Sequence, residues 1–410
     1  MKTSCDICVI GNGAIGKASA LALALAGLEV VLVAPSAPSA AAPSAKLLSD
    51  TDHWDHRVYA LNHVARSLLT SLKVWDAMAA ERIAPVDSMA VMGDVPNQSG
   101  VLSFDAYGAR VGALAWIVED SNLNQALDAA LRFASGLKIV HGAATTMERT
   151  ADAAQITLDN GYHISSRLVL GADGAHSWVR TQADIGMDYR SYHQQAVVAN
   201  FESENAHHGI ASQWFLGADG IVALLPLPGN RVSLVWSAPD AFARTLLGES
   251  AEQLAQRLLS LPGQTLGQMR MLQSDSPRSF PLRLIRSHSL IADRVALVGD
   301  AAHVVHPLAG QGMNLGFADI QSLLDAIAKR DQSADCGDAR TLGRYARARK
   351  EEVLLMHIAT DSLQRLFASE LPPVKLLRNA GMGLVHKLPF LKRRLITHAL
   401  GPPFSIHTDS

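Results

Sequence analysis

The run "CDICVIGNGAIGKASALALALAGLEVVLVA", Cys5 to Ala34, restricts the fold more than any other part of the chain. A short apolar strand passes directly into Gly11-Asn12-Gly13-Ala14-Ile15-Gly16, then an alanine-rich helix, then a second apolar strand at Val30 to Val33. This is G-x-G-x-x-G between strand and helix, the dinucleotide-binding pattern of a βαβ unit. Each glycine has a physical task. Gly11 permits the tight turn, Gly13 lets a pyrophosphate approach the backbone, and Gly16 lets helix and strand pack closely. The amides at the helix start, from Ala14 and Ile15 onward, are unpaired donors facing the phosphates. One element of the pattern is missing. The second strand usually ends in Asp or Glu for a ribose hydroxyl, but Val33 is followed by Ala34-Pro35-Ser36, which leaves Ser36 or an acid of "SDTDHWDHR" as candidates.

The same run could be mistaken for a membrane or secretion signal, since the apolar residues 18–34 precede "PSAPSAAAPSA". Gly27 and Glu29 split it into pieces too short for a bilayer, which needs about 20 apolar residues. The expectation is a cytoplasmic chain. At 410 residues it suits a large α/β domain with one or two additions. Hydrophobic residues make up 48% and charged ones 18%, with a net charge of −2, which argues against nucleic acid as a partner. Cys5, Cys8 and Cys336 are too few for a disulfide framework, and "CDIC" falls in a buried strand with no second metal-ligand pair at proper spacing.

Further along, residues 36–56 read as a loop, and "RVYALNHVARSLLTSLKVWDAM" as an amphipathic helix led by Arg57. The Arg57 guanidinium is a candidate to neutralise a pyrophosphate; an ordinary solvated or ion-paired arginine fits the pattern equally. A meander follows and meets a second strand-to-turn motif containing Asp173 and Gly174. From about residue 186 to 278 long strands suggest an inserted sheet lobe. The chain then returns with "RVALVGDAAHVVHPLAGQGMNLG". Ligands of open parallel sheets bind at carboxyl strand ends, so Gly11 and the strand end at Gly299-Asp300 should serve one long cofactor. Asp300 is suited to accept from ribityl hydroxyls, and Gly310, Gln311, Gly312 and Met313 form a bare loop before a helix starting near Asn314. Amides there would stabilise negative charge on a reduced flavin ring. His303 and His306 are better explained by hydrogen bonding than by metal ligation. No phosphate-loop lysine motif, Gly-x-Ser-x-Gly elbow or H-E-x-x-H occurs.

The three segments Gly11 to Gly16, "GADGAHSWVR" and "GDAAHVVHPLAGQGMNLGFADI" resemble the fingerprints of single-component flavoprotein monooxygenases related to para-hydroxybenzoate hydroxylase. Together with "DHRVYALN", "SQWFLGADGIVALLPLP" and "TDSLQRLFASELPPVKLLRNAGMGLV", they resemble the ubiquinone-biosynthesis aromatic hydroxylases over nearly the whole chain. The resemblance implies FAD, with NAD(P)H as electron donor and O2, acting through a flavin C4a-hydroperoxide to hydroxylate a prenylated phenol or quinol precursor. By the family pattern Arg57 would contact FAD, Asp173 and Gly174 would serve FAD and the pyridine nucleotide, and Asp300 would hold the ribityl chain. Pro307 would line the isoalloxazine, and the amides from Gly310 to Asn314 would meet its pyrimidine edge. No side chain is required as a strong acid or base, so no catalytic dyad is assigned.

The fold expected is α/β: a Rossmann-like FAD-binding domain (1–75, 104–183 and 279–345), an inserted β-sheet substrate domain (76–103 and 184–278) and a C-terminal helical segment (346–410). Residues 371–408 hold no acid, while Lys375, Arg378, Lys387, Lys392, Arg393 and Arg394 stand among apolar residues. That composition suits peripheral contact with an anionic bilayer, and equally a helix pair packing on the catalytic lobe or on an assembly of pathway enzymes. Two other functions fit the same motifs: a hydroxylase of a soluble phenol or polyketide aromatic, and a non-catalytic flavin-binding assembly subunit.

Overall fold

A computed structural model describes residues 2–35, 54–93, 101–272, 276–306, 311–331 and 334–368. Its first sheet has five parallel strands, ordered Leu137–His141, Val30–Ala34, Lys2–Ile10, His163–Gly171 and Val295–Leu297. Antiparallel additions at Ala144–Arg149, Ala154–Leu158 and Ile291–Ala292 complete its eight strands. Parallel strands are covered on both faces, which is why Ile7, Cys8, Val9 and Val30 to Val33 are continuously apolar and buried. On one face lie the helices Ala14–Leu25, Asp120–Leu131 and Gln311–Ala328; on the other, the 144–158 hairpin and the short helix Trp178–Gln182.

The register of this sheet places the site. Ile10 pairs with Gly171, and Gly171 with Leu297, so the three strands end in one row. The turns that follow therefore leave the sheet side by side.

A second sheet is mostly antiparallel, running His303–Val304, Arg278–Ser287, Met187–Ser203, Arg231–Pro239, Ile221–Leu227, Ile210–Phe215, Ser88–Met92 and Val101–Asp105. Met269–Met271 joins the long strand Met187–Ser203. The amphipathic helices Asp240–Gly248 and Ala251–Leu259 cover one face over a core containing Phe201, Trp214, Leu234 and Trp236. This is the α/β architecture with an added β-sheet lobe that the sequence led us to expect. The two sheets are joined directly, since Ile285 pairs with Val304 and Arg286 with His303. A small third sheet, Val58–Leu61, Ala115–Glu119 and Ile83–Val86, lies between them. Here Arg82 makes a buried two-pronged ion pair with Glu119, at 2.7 and 2.9 Å, and stacks on Trp54.

Two boundaries differ from the sequence reading. The segment read as a helix from Arg57 begins as the strand Val58–Leu61, and its helix is only His63–Ser71. The helix expected near Asn314 starts at Gln311, which places Gly312, Met313 and Asn314 in its first turn rather than in a loop. The last helix, Ala339–Ala368, packs on Gln311–Ala328. Among the described residues no helix is long and apolar enough to cross a membrane.

Candidate flavin site

Gly11 adopts φ +123°, and a Cβ there would lie 2.2 Å from the Ala172 carbonyl oxygen. The first turn is thus pressed against the second. Gly16 is tighter still, because its Cβ would sit 1.9 Å from the Gly11 oxygen. A Cβ on Gly13, by contrast, would meet nothing within 4 Å. Gly13 is the N-cap of the helix Ala14–Leu25, and no side chain caps that terminus. Unpaired amides facing open space are what a diphosphate requires. Lys17, one turn in, is turned away and paired with Asp128 at 2.7 Å.

The third turn meets the same helix. Gly299 has φ +58° and faces Ile15, and a Cβ on Gly316 would lie 2.7 Å from the Ile15 side chain. Asp300 is exposed, yet protein surrounds its carboxyl closely enough that burial raises its pKa. Both observations hold if the carboxyl stands on the floor of an open groove. His303, Arg57 and Arg283 work against that rise, so these side chains face Asp300. Arg57 lies over Phe280 at 5.1 Å, on the strand Arg278–Ser287. Arg283 donates to His176 Nε2 at 2.7 Å, linking the second lobe to the second turn motif.

Asp173 accepts from the Ser177 hydroxyl at 2.5 Å and from the Val179 amide at 3.0 Å, so both its oxygens order the turn before Trp178–Gln182. Gly174 beside it has φ +82° and open space. Arg180 ties the second turn to the third, donating to the carbonyls of Ala301 at 2.8 Å and Ala175 at 2.9 Å. The Asn314 side chain accepts from the Asn62 amide at 3.0 Å and donates to the Ala60 carbonyl at 2.8 Å. It locks the start of its helix to the strand after Arg57. Pro307 and Gly310 lie outside the described residues, as do Ser36 and the acids before Trp54. Of the acids weighed for the ribose contact, Asp55 has its oxygens on the Arg57 and Ser121 amides.

Sequence reasoning missed the centre that holds the third turn in place. Fully buried Asp319 accepts from the Gly299 amide at 2.9 Å, from His303 Nε2 at 2.8 Å and from Arg349 Nε at 2.7 Å. Burial opposes its charge, but His303 and Arg349 outweigh that and hold its pKa below the ordinary value. Nothing local marks Asp319, because Arg349 comes from the last helix. His306 also takes a hydrogen-bonding role, with Nε2 3.1 Å from Gln194 Oε1 and its ring edge-on to Tyr192.

The residues present fit FAD. A capless helix start opens onto free space, a carboxyl lies between cations at the neighbouring strand end, and a second helix start stands behind it. The comparisons decide the family. Residues 114–354, more than half of the chain, match the FAD binding domain family. A ubiquinone hydroxylase of Rhodospirillum rubrum is 35% identical over 97% of this chain and 89% of its own length. The 3-demethoxyubiquinol 3-hydroxylase of Escherichia coli is 32% identical over 97% of this chain and 98% of its own.

The chain belongs to the FAD-dependent ubiquinone-biosynthesis hydroxylases.

Among solved structures, the p-nitrophenol 4-monooxygenase of Pseudomonas putida superposes on this hydroxylase with a TM-score of 0.75, over 98% of this chain and 100% of that one. At 18% identity that likeness shows a shared fold. As a member of its family, the hydroxylase is an FAD-dependent monooxygenase, for which NAD(P)H and O2 are the typical co-reactants.

Proposed function

We propose that this protein hydroxylates the aromatic ring of a polyprenylated phenol on the way to ubiquinone. The observation that carries the reading is the likeness to two hydroxylases of that pathway along nearly the full length of all three chains. FAD, once bound and reduced by NAD(P)H, supplies the oxygen-activating chemistry. The chain's own residues bind and orient. Amides around Gly13, Ala14 and Ile15 receive the diphosphate, with Gly11 and Gly16 allowing the turn that aims them. Asp300 would accept from the ribityl hydroxyls, and Arg57 would balance charge in the same groove. The first-turn amides at Gly312, Met313 and Asn314 would meet the pyrimidine edge of the bound flavin, where the helix start favours negative charge. Asp173 acts through the turn it orders, leaving Gly174 as the open approach.

The basic stretch 371–408 is proposed to rest on an anionic membrane surface, which would bring the site to a lipid substrate. Its support is compositional: six Lys and Arg residues among apolar ones and no acid.

The test is mass spectrometry of lipid extracts from cells with and without the gene. A prenylated phenol lacking one oxygen should accumulate, and its fragments give the ring position. The purified protein should convert that compound with uptake of O2 and NAD(P)H oxidation. An unchanged quinone pool, with no turnover of the prenylated phenol in vitro, would overturn the proposal in favour of a soluble aromatic substrate.

A further inference from the structure

The helix His63–Ser71 borders a second feature, separate from the flavin groove. An open groove of about 470 Å³ runs along it, lined by His63, Arg66, Ser67, Thr70, Ser71 and Lys73. Among the described residues no acidic one lines it. Arg66 is half-buried, and its guanidinium is held against two indoles, 4.2 Å from the Trp116 ring and 5.1 Å from that of Trp75. The rings are themselves edge-to-face at 5.7 Å, and His63 packs on Trp116 at 4.9 Å while its Nε2 donates to the Ala113 carbonyl at 2.9 Å. The indoles therefore form a fixed seat.

Arg66 sits on that seat with no hydrogen-bond acceptor among the described residues. Among the described residues its guanidinium meets no carboxylate and no carbonyl, although a planar guanidinium carries five N–H donors. The Lys73 ammonium, which lines the same groove just past the end of this helix, is likewise unpaired among the described residues. Thr70 and Ser71 donate their hydroxyl protons to their own helix, leaving Ser67 as the uncommitted hydroxyl. An arginine placed for structure alone would ordinarily find an acceptor when half-buried. This one is oriented by stacking and left with an open fork.

We propose that this groove binds a phosphoryl group, with the Arg66 fork and the Lys73 ammonium as its donors and Ser67 beside them. The chemistry follows from the lining: a planar fork matches two oxygens of one phosphate, the ammonium adds a point charge, and no carboxylate among the described residues competes. The groove is sized for a phosphorylated small molecule or a single headgroup. The site stands on Arg66 and its indole seat, independently of what the flavin oxidises.

The seat supplies its own reporter. Full-length, FAD-loaded protein is titrated with pyrophosphate at constant ionic strength while tryptophan emission is followed, and in a second arm with phosphatidylglycerol vesicles against phosphatidylcholine vesicles. A saturable change with pyrophosphate assigns a soluble phosphorylated ligand; a change confined to phosphatidylglycerol assigns the lipid headgroup. Arg66→Gln should weaken the response about tenfold or more, as expected on losing a charge-assisted pair. Arg66→Lys, which keeps the charge and loses the fork, should fall between. Because Arg66→Gln also removes stacking, Lys73→Gln on the exposed rim serves as the second variant, weakening binding several-fold with unchanged circular dichroism and FAD content. No saturable change in either arm, or one equally strong in the Arg66→Gln/Lys73→Gln double variant, overturns the site.

Discussion

At the scale of single residues, the glycines of the first turn separate packing from binding. Gly13 has φ −79° and ψ 174°, a conformation open to any residue, with nothing in front of it. Gly13→Ala should therefore leave the apoprotein's unfolding midpoint almost unchanged while weakening FAD retention by tenfold or more, a loss of about 1.4 kcal/mol or above. Gly16→Ala drives a methyl into the Gly11 carbonyl and should unfold the domain outright or cost about 3 kcal/mol or more. Flavin fluorescence on dilution and urea unfolding distinguish the two. Equal loss of stability in both variants would show that Gly13 also serves packing. The packing of Gly11 and Gly16 and the open space at Gly13 were legible because the whole turn lies within six residues. Asp319 was not legible, since its value comes from groups 16, 20 and 30 residues away. Asp319→Asn leaves buried Arg349 with only the half-exposed Glu352 as its anion, so about 3 kcal/mol of stability should be lost, with faster FAD release as the anchor of Gly299 weakens. A melt and an FAD dissociation rate would check this, and an Asn variant that binds FAD normally would exclude the anchoring role.

At the scale of elements, the strand–turn–helix at the N-terminus was readable because periodicity and glycine spacing agree over 30 residues. The segment after Arg57 misled because Val58 to Leu61 is too short to show its period. Its strand exists through pairing with Ala115–Glu119, a partner no local window contains. Asn62 was the available signal: its side chain accepts from the Ala65 amide at 3.0 Å, as an N-cap does. The same residue's amide is bound by Asn314, which joins the helix bearing Arg66 to the helix start assigned to the flavin. Asn314→Ala strands a buried donor and the Ala60 acceptor together, at a cost of about 2–3 kcal/mol. Denaturant unfolding of the flavin-free protein measures that cost directly. Asn314→Asp keeps the acceptor and loses the donor, so it should fall between wild type and Ala; an Ala variant as stable as wild type would mean the two elements are held by packing alone.

At the scale of the whole molecule, the chain after Leu297 belongs to both sheets at once. It leaves the end of the parallel sheet, gives Asp300 to the groove, and pairs through His303 and Val304 with the second sheet. The last helix closes this junction: Arg349 reaches Asp319, and Asp361 pairs with Arg190 of the long strand, whose guanidinium lies over Tyr192 against His306. Two buried histidines stand in that seam. His306 is pushed down to about 4 by burial, with Asp361 opposing. His357 is pushed down to about 4 by burial first, then by His303 and Arg286, again against Asp361. In the unfolded chain both return to about 6.5, so between pH 6.5 and 4 the unfolded state holds more protons than the folded one. Stability is therefore complete above about pH 6.5 and declines as the pH falls towards 4, by a few kcal/mol in total. Urea midpoints measured across this window should fall steadily as the pH is lowered, and His306→Gln with His357→Gln should flatten the part of the curve above about pH 5 even if the variants start less stable. Carboxylates such as Asp319, held below their ordinary pKa, add a loss in the same direction that lies at lower pH, so the slope above pH 5 belongs chiefly to the histidines. An unaltered slope there in the double variant would place the acid sensitivity elsewhere than the seam between the lobes and the last helix.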